Sequence, residues 1–418
     1  MKAHSLCLTA ALLCAAFACP FALAEEWSQY RGPAGDGKST ETIGNLSWKG
    51  DGPKVLWKSE TPLGFSSFCV VGNLATTVIA NDGKEFCLAL DASTGEELWR
   101  ATLGSNQYDG GGGNTGAKGN RGGDGPRSTP SSDGKNIFVY DSHLVLYSLD
   151  AASGKINWNH DIVAEHAGRN IRWSNATSPL LDGDRVYVGG GGPGQSFLAF
   201  NKNSGELIWK SGDELITHAT PSLGVINGTK QVVYFMQSGL VGIDPENGAE
   251  LWRAKFNFNV STAASPAIFE DMVYCSAGYG VGAALFKVTG AGEPEELWYK
   301  PNELMNHWSS PLVKDGYLYG IYEFKKYGKA PLQCVNLATG EIVWSERGFG
   351  PGNCILVGDK LVVLSDAGEV AIVKASPDGY EELARSKVLE GKCWSTPSFK
   401  DGRIFVRSTS EAACIDVR

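Results

Sequence analysis

Several sequence features that would assign this chain to a particular class of protein are missing. No Cys-x-x-Cys pair occurs, so zinc ribbons, thiol redox motifs and covalent haem attachment have no support. Beyond the N-terminus, no apolar run approaches the length of a membrane helix. The net charge is −9 and no basic stretch stands out, so neither nucleic acid nor an anionic lipid surface is an expected partner. Gly-x-Ser-x-Gly, His-Glu-x-x-His and kinase motifs are also absent, which leaves the sequence without a catalytic signature.

Two features that resemble ligand sites are weak when their spacing is considered. His166, His218 and His307 are widely separated and show no metal-ligand spacing, so no metal site is predicted. The glycine-rich stretch Gly104–Gly125 lacks a Gly-Lys-Ser/Thr sequence and has no helix behind it, so it does not predict a phosphate loop. A long loop of this kind is more typical of a lid, here over a channel mouth.

The N-terminus, residues 1–24, predicts a signal peptide. Leu6–Phe17 is an apolar stretch too short to span a bilayer, and Ala22-Leu23-Ala24 is a small-residue cleavage site. A lipid anchor at Cys19 is not favoured, because the first position of the surrounding box is not the usual Leu. Export to the periplasm or cell envelope is therefore expected, with 25–50 as an N-terminal extension. Seven cysteines remain in the mature chain, and the sequence does not reveal whether any are paired.

An eleven-residue pattern, Ala89–Trp99, recurs along the chain. The copies are Ser148–Trp158, Ala199–Trp209, Gly242–Trp252 and Cys334–Trp344. Each reads as a strand, a turn with Asp or Asn and then Gly, and a second strand that ends in Trp. Such a hairpin cannot bury its own apolar face, so stacked copies must supply the core. The tryptophans expected to form a structural girdle between copies are Trp57, Trp99, Trp158, Trp209, Trp252, Trp298 and Trp344.

A second signature, small residues followed by Pro, opens another strand before each hairpin. It occurs at Ser128-Thr129-Pro130, Thr177-Ser178-Pro179, Ala219-Thr220-Pro221, Ala264-Ser265-Pro266, Ser309-Ser310-Pro311 and Ser395-Thr396-Pro397. Each unit then holds four antiparallel strands, the blade of a β-propeller. We predict an all-β, eight-bladed propeller over 51–418, whose last blade is closed by the N-terminal strand 55–58. Seven blades is the alternative, since the copy near Ala384 and Arg385 is weak.

The repeat resembles the tryptophan-docking motif of propellers with pyrroloquinoline quinone (PQQ) repeats. The opening of the mature chain, Trp27 to Gly37, is similar to that of exported single-propeller members of this group, which resemble the outer-membrane assembly protein BamB. The resemblance implies that each Trp packs on the glycine peptide of the next blade. It also implies export. Because no enzymatic motif is visible, we expect a monomeric, non-catalytic propeller that binds a protein partner or small ligand through one face, without a cofactor.

Two other functions stay open. The same superfamily contains quinoprotein dehydrogenases, which would hold PQQ with calcium in the central channel; the absence of a Cys-Cys pair speaks against that function here. A carbohydrate-binding propeller is the second alternative, with Trp173, Trp308 and Trp394 as stacking platforms.

Topology alone selects the candidate site. Loops that enter the innermost strands of a propeller all emerge on one face, so their polar and aromatic residues should meet at one mouth of the channel, under the Gly104–Gly125 loop. The predicted ligand-binding residues are Arg127, Arg172, Trp173, Asn175, His218, His307, Trp308 and Trp394. No catalytic residue is predicted.

Overall fold

The fold is an eight-bladed β-propeller. In the computed structural model, the described residues are 25–48, 52–107, 125–171, 173–258, 262–290, 292–322 and 330–418. Within these ranges, the strands form eight four-stranded antiparallel blades, one of which carries an added parallel strand, and the only helix is the short α1 (Ile162–Glu165). The prediction of eight blades is confirmed, and the alternative of seven is wrong because the weak copy near Ala384 forms a complete sheet.

Each blade runs from an inner strand at the channel to an outer strand at the rim. Two strands, β1 (Lys38–Ser39) and β2 (Lys54–Glu60), precede the first blade. The first four blades are blade 1, β3 (Cys69–Val71), β4 (Leu74–Asn81), β5 (Lys84–Asp91) and β6 (Glu97–Ser105); blade 2, β7 (Ser131–Ser132), β8 (Asn136–Tyr140), β9 (Val145–Asp150) and β10 (Ile156–Asp161); blade 3, β11 (Leu180–Asp182), β12 (Arg185–Gly189), β13 (Phe197–Asn201) and β14 (Leu207–Ser211); and blade 4, β15 (Ser222–Ile226), β16 (Thr229–Met236), β17 (Gly239–Ile243) and β18 (Glu250–Lys255).

The other four blades follow the same order. They are blade 5, β19 (Ala267–Phe269), β20 (Met272–Ala277), β21 (Gly282–Lys287) and β22 (Glu295–Pro301); blade 6, β23 (Leu312–Lys314), β24 (Tyr317–Ile321), β25 (Leu332–Asn336) and β26 (Ile342–Glu346); blade 7, β27 (Asn353–Val357), β28 (Lys360–Leu364), β29 (Glu369–Lys374) and β30 (Glu382–Lys387); and blade 8, β31 (Ser398–Lys400), β32 (Arg403–Arg407), β33 (Glu411–Asp416) and β2.

Blade 8 joins the two ends of the chain. Strand β2 is its outer strand and pairs antiparallel with β33, with Val55 opposite Ile415 and Trp57 opposite Cys414. The pairing covers the edge of β33 that its other neighbour, β32, leaves open. The buried side chain of Arg407 reinforces this seam by donating hydrogen bonds to the carbonyls of Thr61, Leu63 and Val78, which link blade 8 to blade 1.

Tryptophans of the outer strands connect neighbouring blades. Trp209 Nε1 donates to the Pro245 carbonyl of the next blade at 2.9 Å, and its ring lies against Gly248. A Cβ at Gly248 would stand 2.5 Å from that ring, so glycine is required there. The same hydrogen bond from one blade to the next joins Trp57 to Ala92, Trp99 to Ala151, Trp158 to Lys202, Trp298 to Leu337 and Trp344 to Ser376.

Trp252 departs from the docking pattern that the resemblance implied. Its Nε1 donates to Gln231 Oε1 at 2.6 Å, and its ring lies over Gly242, so both contacts are within its own blade. The cause is visible in the sequence, because the hairpin of blade 5 that should receive Trp252 is one that lacks the eleven-residue motif. Trp252 is buried all the same, at 2% exposure.

The Ser or Thr two residues before an inner strand connects several pairs of blades a second time, close to the channel. Thr129 N donates to Ser178 Oγ at 2.9 Å, and Ser178 N donates to Thr220 Oγ1 at 3.0 Å. These residues belong to the Ser/Thr-Pro signature, so its hydroxyls have a structural role beyond opening a strand. Equivalent bonds run from Ser67 N to Thr129 Oγ1, from Ser265 N to Ser310 Oγ and from Thr396 N to Ser67 Oγ.

Residues 25–45, here named the N-terminal strap, line the inside of the ring. Trp27 pairs with Val70 of blade 1, and the Gln29 side chain accepts from Leu181 N of blade 3. The strap then crosses to blade 6, where Arg31 donates to the Pro311 carbonyl, and Lys38–Ser39 forms the parallel strand β1 beside β27 of blade 7. The contacts of Trp27, Gln29 and β1 lie near the ends of inner strands, whereas Arg31 meets Pro311 at the start of β23. Among the described residues, no helix is long and apolar enough to cross a membrane.

Replacing Trp209 by alanine tests the docking of one blade on the next. The change removes a buried ring and an interblade hydrogen bond, so we expect the free energy of unfolding to fall by about 3–5 kcal/mol. Leu207→Ala is the matched control, because Leu207 lies on the same strand but is 38% exposed, and its loss should cost within about 0.5 kcal/mol. Urea titrations of both variants measure the difference. Equal stabilities would show that the Trp209 contact does not hold the blades together.

Candidate functional site at the channel mouth

Three blades contribute side chains to one side of the mouth. Arg127, from the loop into blade 2, donates from Nη1 to the carbonyl of Trp173, from the loop into blade 3, at 3.2 Å. The Trp173 ring meets the His218 ring of the next loop edge to face, with centroids 6.3 Å apart. His218 in turn binds the Ser174 carbonyl through Nε2 at 2.9 Å. The structure therefore brings three of the predicted residues into contact.

The other side of the mouth is a continuous chain of aromatic rings. The His307 ring lies 5.1 Å from Trp308, and the Trp308 ring lies 4.2 Å from Trp394, measured between centroids. Two further rings extend this row, and neither was predicted from the sequence. They are Phe65, 4.8 Å from Trp394, and Tyr279, 4.9 Å from His307. Phe65 lies in the loop into blade 1, where Ser66-Ser67-Phe68 replaces the Ser/Thr-Pro signature, and the missing Pro hid its equivalence to the other loops.

Trp394 is enclosed on both faces. The Phe65 and Trp308 rings are inclined to it by only 27° and 30°, at centroid distances below 5 Å. Two nearly parallel rings this close cannot share one face, so they cover opposite faces of the indole. A planar ligand between Trp308 and Trp394 would need about 7 Å, twice the usual contact distance, where the centroids are 4.2 Å apart. The pair therefore leaves no slot for an intercalated quinone or a stacked sugar.

Burial keeps both mouth histidines neutral. Desolvation, with the nearby charges of Arg127 and His307, lowers the pKa of His218 to about 3. Desolvation alone lowers the pKa of His307 to about 4. At neutral pH, Arg127 thus carries positive charge at the mouth while both imidazole rings are uncharged.

Asn175 lies beneath the mouth and is bonded to the backbone. Its amide nitrogen donates to the carbonyls of Tyr140, Asp141 and Thr177, and its amide oxygen accepts from Thr177 N at 2.9 Å. It is 1% exposed, and its hydrogen bonds hold the backbone of the surrounding loops in place. Its part in ligand binding stays a prediction. Arg172 and the lid interval 108–124 lie outside the described residues.

A buried carboxyl pair next to Arg127 was not anticipated from sequence. Glu85 of blade 1 accepts from the Ser142 hydroxyl at 2.5 Å, and Asp141 of blade 2 accepts from two backbone N–H groups, those of His143 and Val145. Burial raises the pKa of both carboxyls, and repulsion from Asp141 adds to the rise for Glu85. Glu85 follows an Asp-Gly turn, where an acidic side chain is usually solvated, so nothing in the pattern predicts its burial.

The described residues at the mouth include neither a metal site nor a disulfide. Across the described ranges, no group of three or more His, Cys, Asp or Glu side chains has the geometry to hold a metal ion. The seven cysteines that the sequence left undecided are all buried free thiols. Cys69, Cys354 and Cys393 illustrate why they are unreactive, because burial raises each thiol pKa to about 12.

The neutral histidines make a prediction for stability against pH. Their folded-state pKa values lie below the ordinary value of 6.5, so the unfolded chain binds more protons as the pH falls. The stability they contribute is present above pH 6.5 and is lost as the pH falls towards 4 and then 3. Between about pH 7 and about pH 4.5, His218→Gln and His307→Gln should each lose about 2–3 kcal/mol less stability than the wild type in urea titrations. Parallel profiles for wild type and variants would contradict the burial of these rings in the neutral form.

Comparisons with known proteins agree with this architecture. Residues 83–346 match the sequence profile of a family described as outer membrane protein assembly factor BamB. A protein of that name from Shewanella oneidensis is 24% identical over 291 residues, which cover 66% of this chain and 70% of the relative. The crystal structure of BamB from Moraxella catarrhalis superposes with a TM-score of 0.60 at 16% identity, covering 87% of this chain and 97% of that one.

A quinohemoprotein alcohol dehydrogenase from Comamonas testosteroni has the same fold. Its TM-score is 0.64 at 14% identity, over 94% of this chain and 80% of the enzyme. At that identity, the likeness concerns the propeller alone and not its chemistry. The sequence match, which spans more than half of the chain, is specific: this protein belongs to the family of outer membrane protein assembly factor BamB.

Proposed function

We propose that this protein is an exported, non-catalytic binding propeller that acts as a scaffold in the cell envelope, and that the channel mouth is its working face. The observation that carries the proposal is the convergence of Arg127, Trp173, His218 and the aromatic chain from Phe65 to Tyr279, which come from loops of different blades. Aromatic residues and arginine are the side chains that most often anchor protein interfaces. Because the imidazole rings are neutral, the face presents Arg127 among apolar rings.

A protein partner suits this face better than an enclosed small ligand. Trp173 is 39% exposed, Leu215 41% and Tyr279 48%, so large apolar groups stand at the surface of loops on the mouth side. Exposed apolar groups beside polar ones are typical of interaction surfaces. The relatives are named outer membrane protein assembly factors, and a protein partner is consistent with that name.

The two alternative functions find less support in the geometry. A PQQ-dependent dehydrogenase needs an open aromatic face for its planar cofactor, but the faces of Trp394 are taken by Phe65 and Trp308. A sugar-binding propeller loses the same platform and keeps Trp173, which is 39% exposed. Calcium would need carboxylates open to the channel, whereas Glu85 and Asp141 are buried and hydrogen-bonded to the protein. We therefore propose that the protein works without a cofactor. A stoichiometric complex on titration with PQQ and calcium would contradict this and favour the dehydrogenase.

Site-specific photo-crosslinking in the native host tests the proposed working face. We expect a benzoyl-phenylalanine at Trp173 or Tyr279 to give a discrete protein adduct, because both positions are exposed at the mouth. The same probe at Leu98, which is 53% exposed on the rim strand β6, is the matched control and should give none. Mass spectrometry of the purified protein should show cleavage before Glu25. Equal adducts at Leu98, or none at the mouth, would contradict the proposal, and an uncleaved chain in the cytoplasm would contradict export.

A further inference from the structure

Inside the ring, a pocket of about 220 Å³ lies between the N-terminal strap and the inner strands of blades 4, 5 and 6. Its apolar lining is Leu223 and Val225 of β15 in blade 4, Ile268 of blade 5 and Val313 of blade 6. The charged lining residues are Arg31, Asp36 and Lys38 of the strap and Glu270 of blade 5. No residue of the mouth borders it. The pocket is therefore separate from the working face proposed above. An experiment can contradict the proposed peptide site without contradicting the proposed function, and the reverse.

Elsewhere in the ring, the strap forms hydrogen bonds with the exposed backbone groups of the inner strands. Inner strands have a neighbour on one side only, so every second N–H and C=O points into the channel. The strap accepts from such an N–H in four blades. The pairs are Val70 N with Trp27 O, Ser132 N with Ser28 O, Leu181 N with Gln29 Oε1 and Leu356 N with Gly37 O.

Strand β15 presents a longer edge that the strap leaves open. It spans the five residues Ser222–Ile226, as β27 does, and β27 is the strand to which the strap adds β1. Ile226 pairs with Thr229 at the hairpin, and the alternation of an antiparallel ladder then turns the N–H and C=O groups of Leu223 and Val225 towards the pocket. Among the described residues, neither N–H has an acceptor, and Val225 is 60% exposed.

Arg31 places a buried positive charge at the same pocket. The residue is 3% exposed, and its Nη2 donates to the carbonyls of Asp36 and Pro311. Within the described part of the chain, no carboxylate lies within ion-pair distance of its guanidinium, since Asp36 pairs with Lys38 at 3.2 Å. Asp36 stabilises this charge only from beyond ion-pair distance. A buried charge without a direct ion-pair partner is costly, so an anion bound beside it would be stabilised.

We propose that this pocket binds the C-terminal end of an extended peptide, whose backbone adds to β15 at Leu223 and Val225 and whose terminal carboxylate pairs with Arg31. Strand addition supplies main-chain hydrogen bonds, and the carboxylate supplies a charge-assisted pair. An apolar last side chain would pack against Val225 and Ile268. The strap already makes the corresponding addition to β27, so the fold accommodates an extra strand inside the ring.

Calorimetric titration of the mature protein with synthetic peptides tests the site. The probe is acetyl-Val-Thr-Val-Thr-Val with a free terminal carboxylate, compared with its C-terminal amide and with a form N-methylated at alternate peptide bonds. We expect saturable binding of the free acid and at least about tenfold weaker binding of each modified form, because each loses a charged pair or strand hydrogen bonds. Equal affinity of acid and amide, or no binding of the acid, would overturn the proposal.

Protein variants and a small competitor supply the controls. Val225→Pro removes an edge N–H and should weaken binding about tenfold, whereas Val225→Thr keeps that N–H and should bind like the wild type. Arg31→Gln should remove the preference for acid over amide, with thermal unfolding used to check that each variant is folded. If isovalerate displaces the peptide at the peptide's own concentration, the pocket takes a small carboxylate only, and the strand-addition proposal is wrong.

Discussion

The docking of each blade on the next is the interaction on which the rest of this structure depends. One four-stranded sheet cannot bury its two faces, so the blades are stable only as a ring. In most blades a rim tryptophan such as Trp209 donates into the following hairpin, and in several a hydroxyl such as that of Ser178 also accepts from the preceding blade. These directional bonds fix the rotation between blades, while apolar packing between sheets supplies most of the free energy.

Because the ring is closed, its mouth and its inside differ. The loops that enter inner strands gather at the mouth, and their mutual contacts enclose Trp394 and keep His218 and His307 neutral. The inside of the ring is lined by the strap, which satisfies most of the inner edges it passes and leaves β15 open. A propeller of this kind therefore offers two separate surfaces, an aromatic one at the mouth and a strand edge beside a buried arginine.

Much of the fold could be predicted from sequence because the blades share a repeated motif, so that what one copy indicates applies to the others. The blade count, the hairpins and the positions at the mouth follow from periodicity and topology. Exceptions arise where one copy is altered: Trp252 turns onto its own blade because the hairpin ahead of it lacks the motif. The strap's path could not be read from local pattern, since Arg31 meets Pro311 across the ring. Likewise, Glu85 is buried by a hairpin of the next blade, so the residue pattern of its own strand does not predict its burial.

Closure of the ring by strands from the two ends of the chain is the central claim. Amide hydrogen exchange measures it most directly, since it reports whether β2 (Lys54–Glu60) and β33 (Glu411–Asp416) open with the other blades or before them. The account predicts that the hydrogen-bonded amides of β2 and β33 are protected to within about tenfold of those in β17 (Gly239–Ile243). Exchange of β2 at the rate of exposed loops, while blade 4 stays protected, would contradict it.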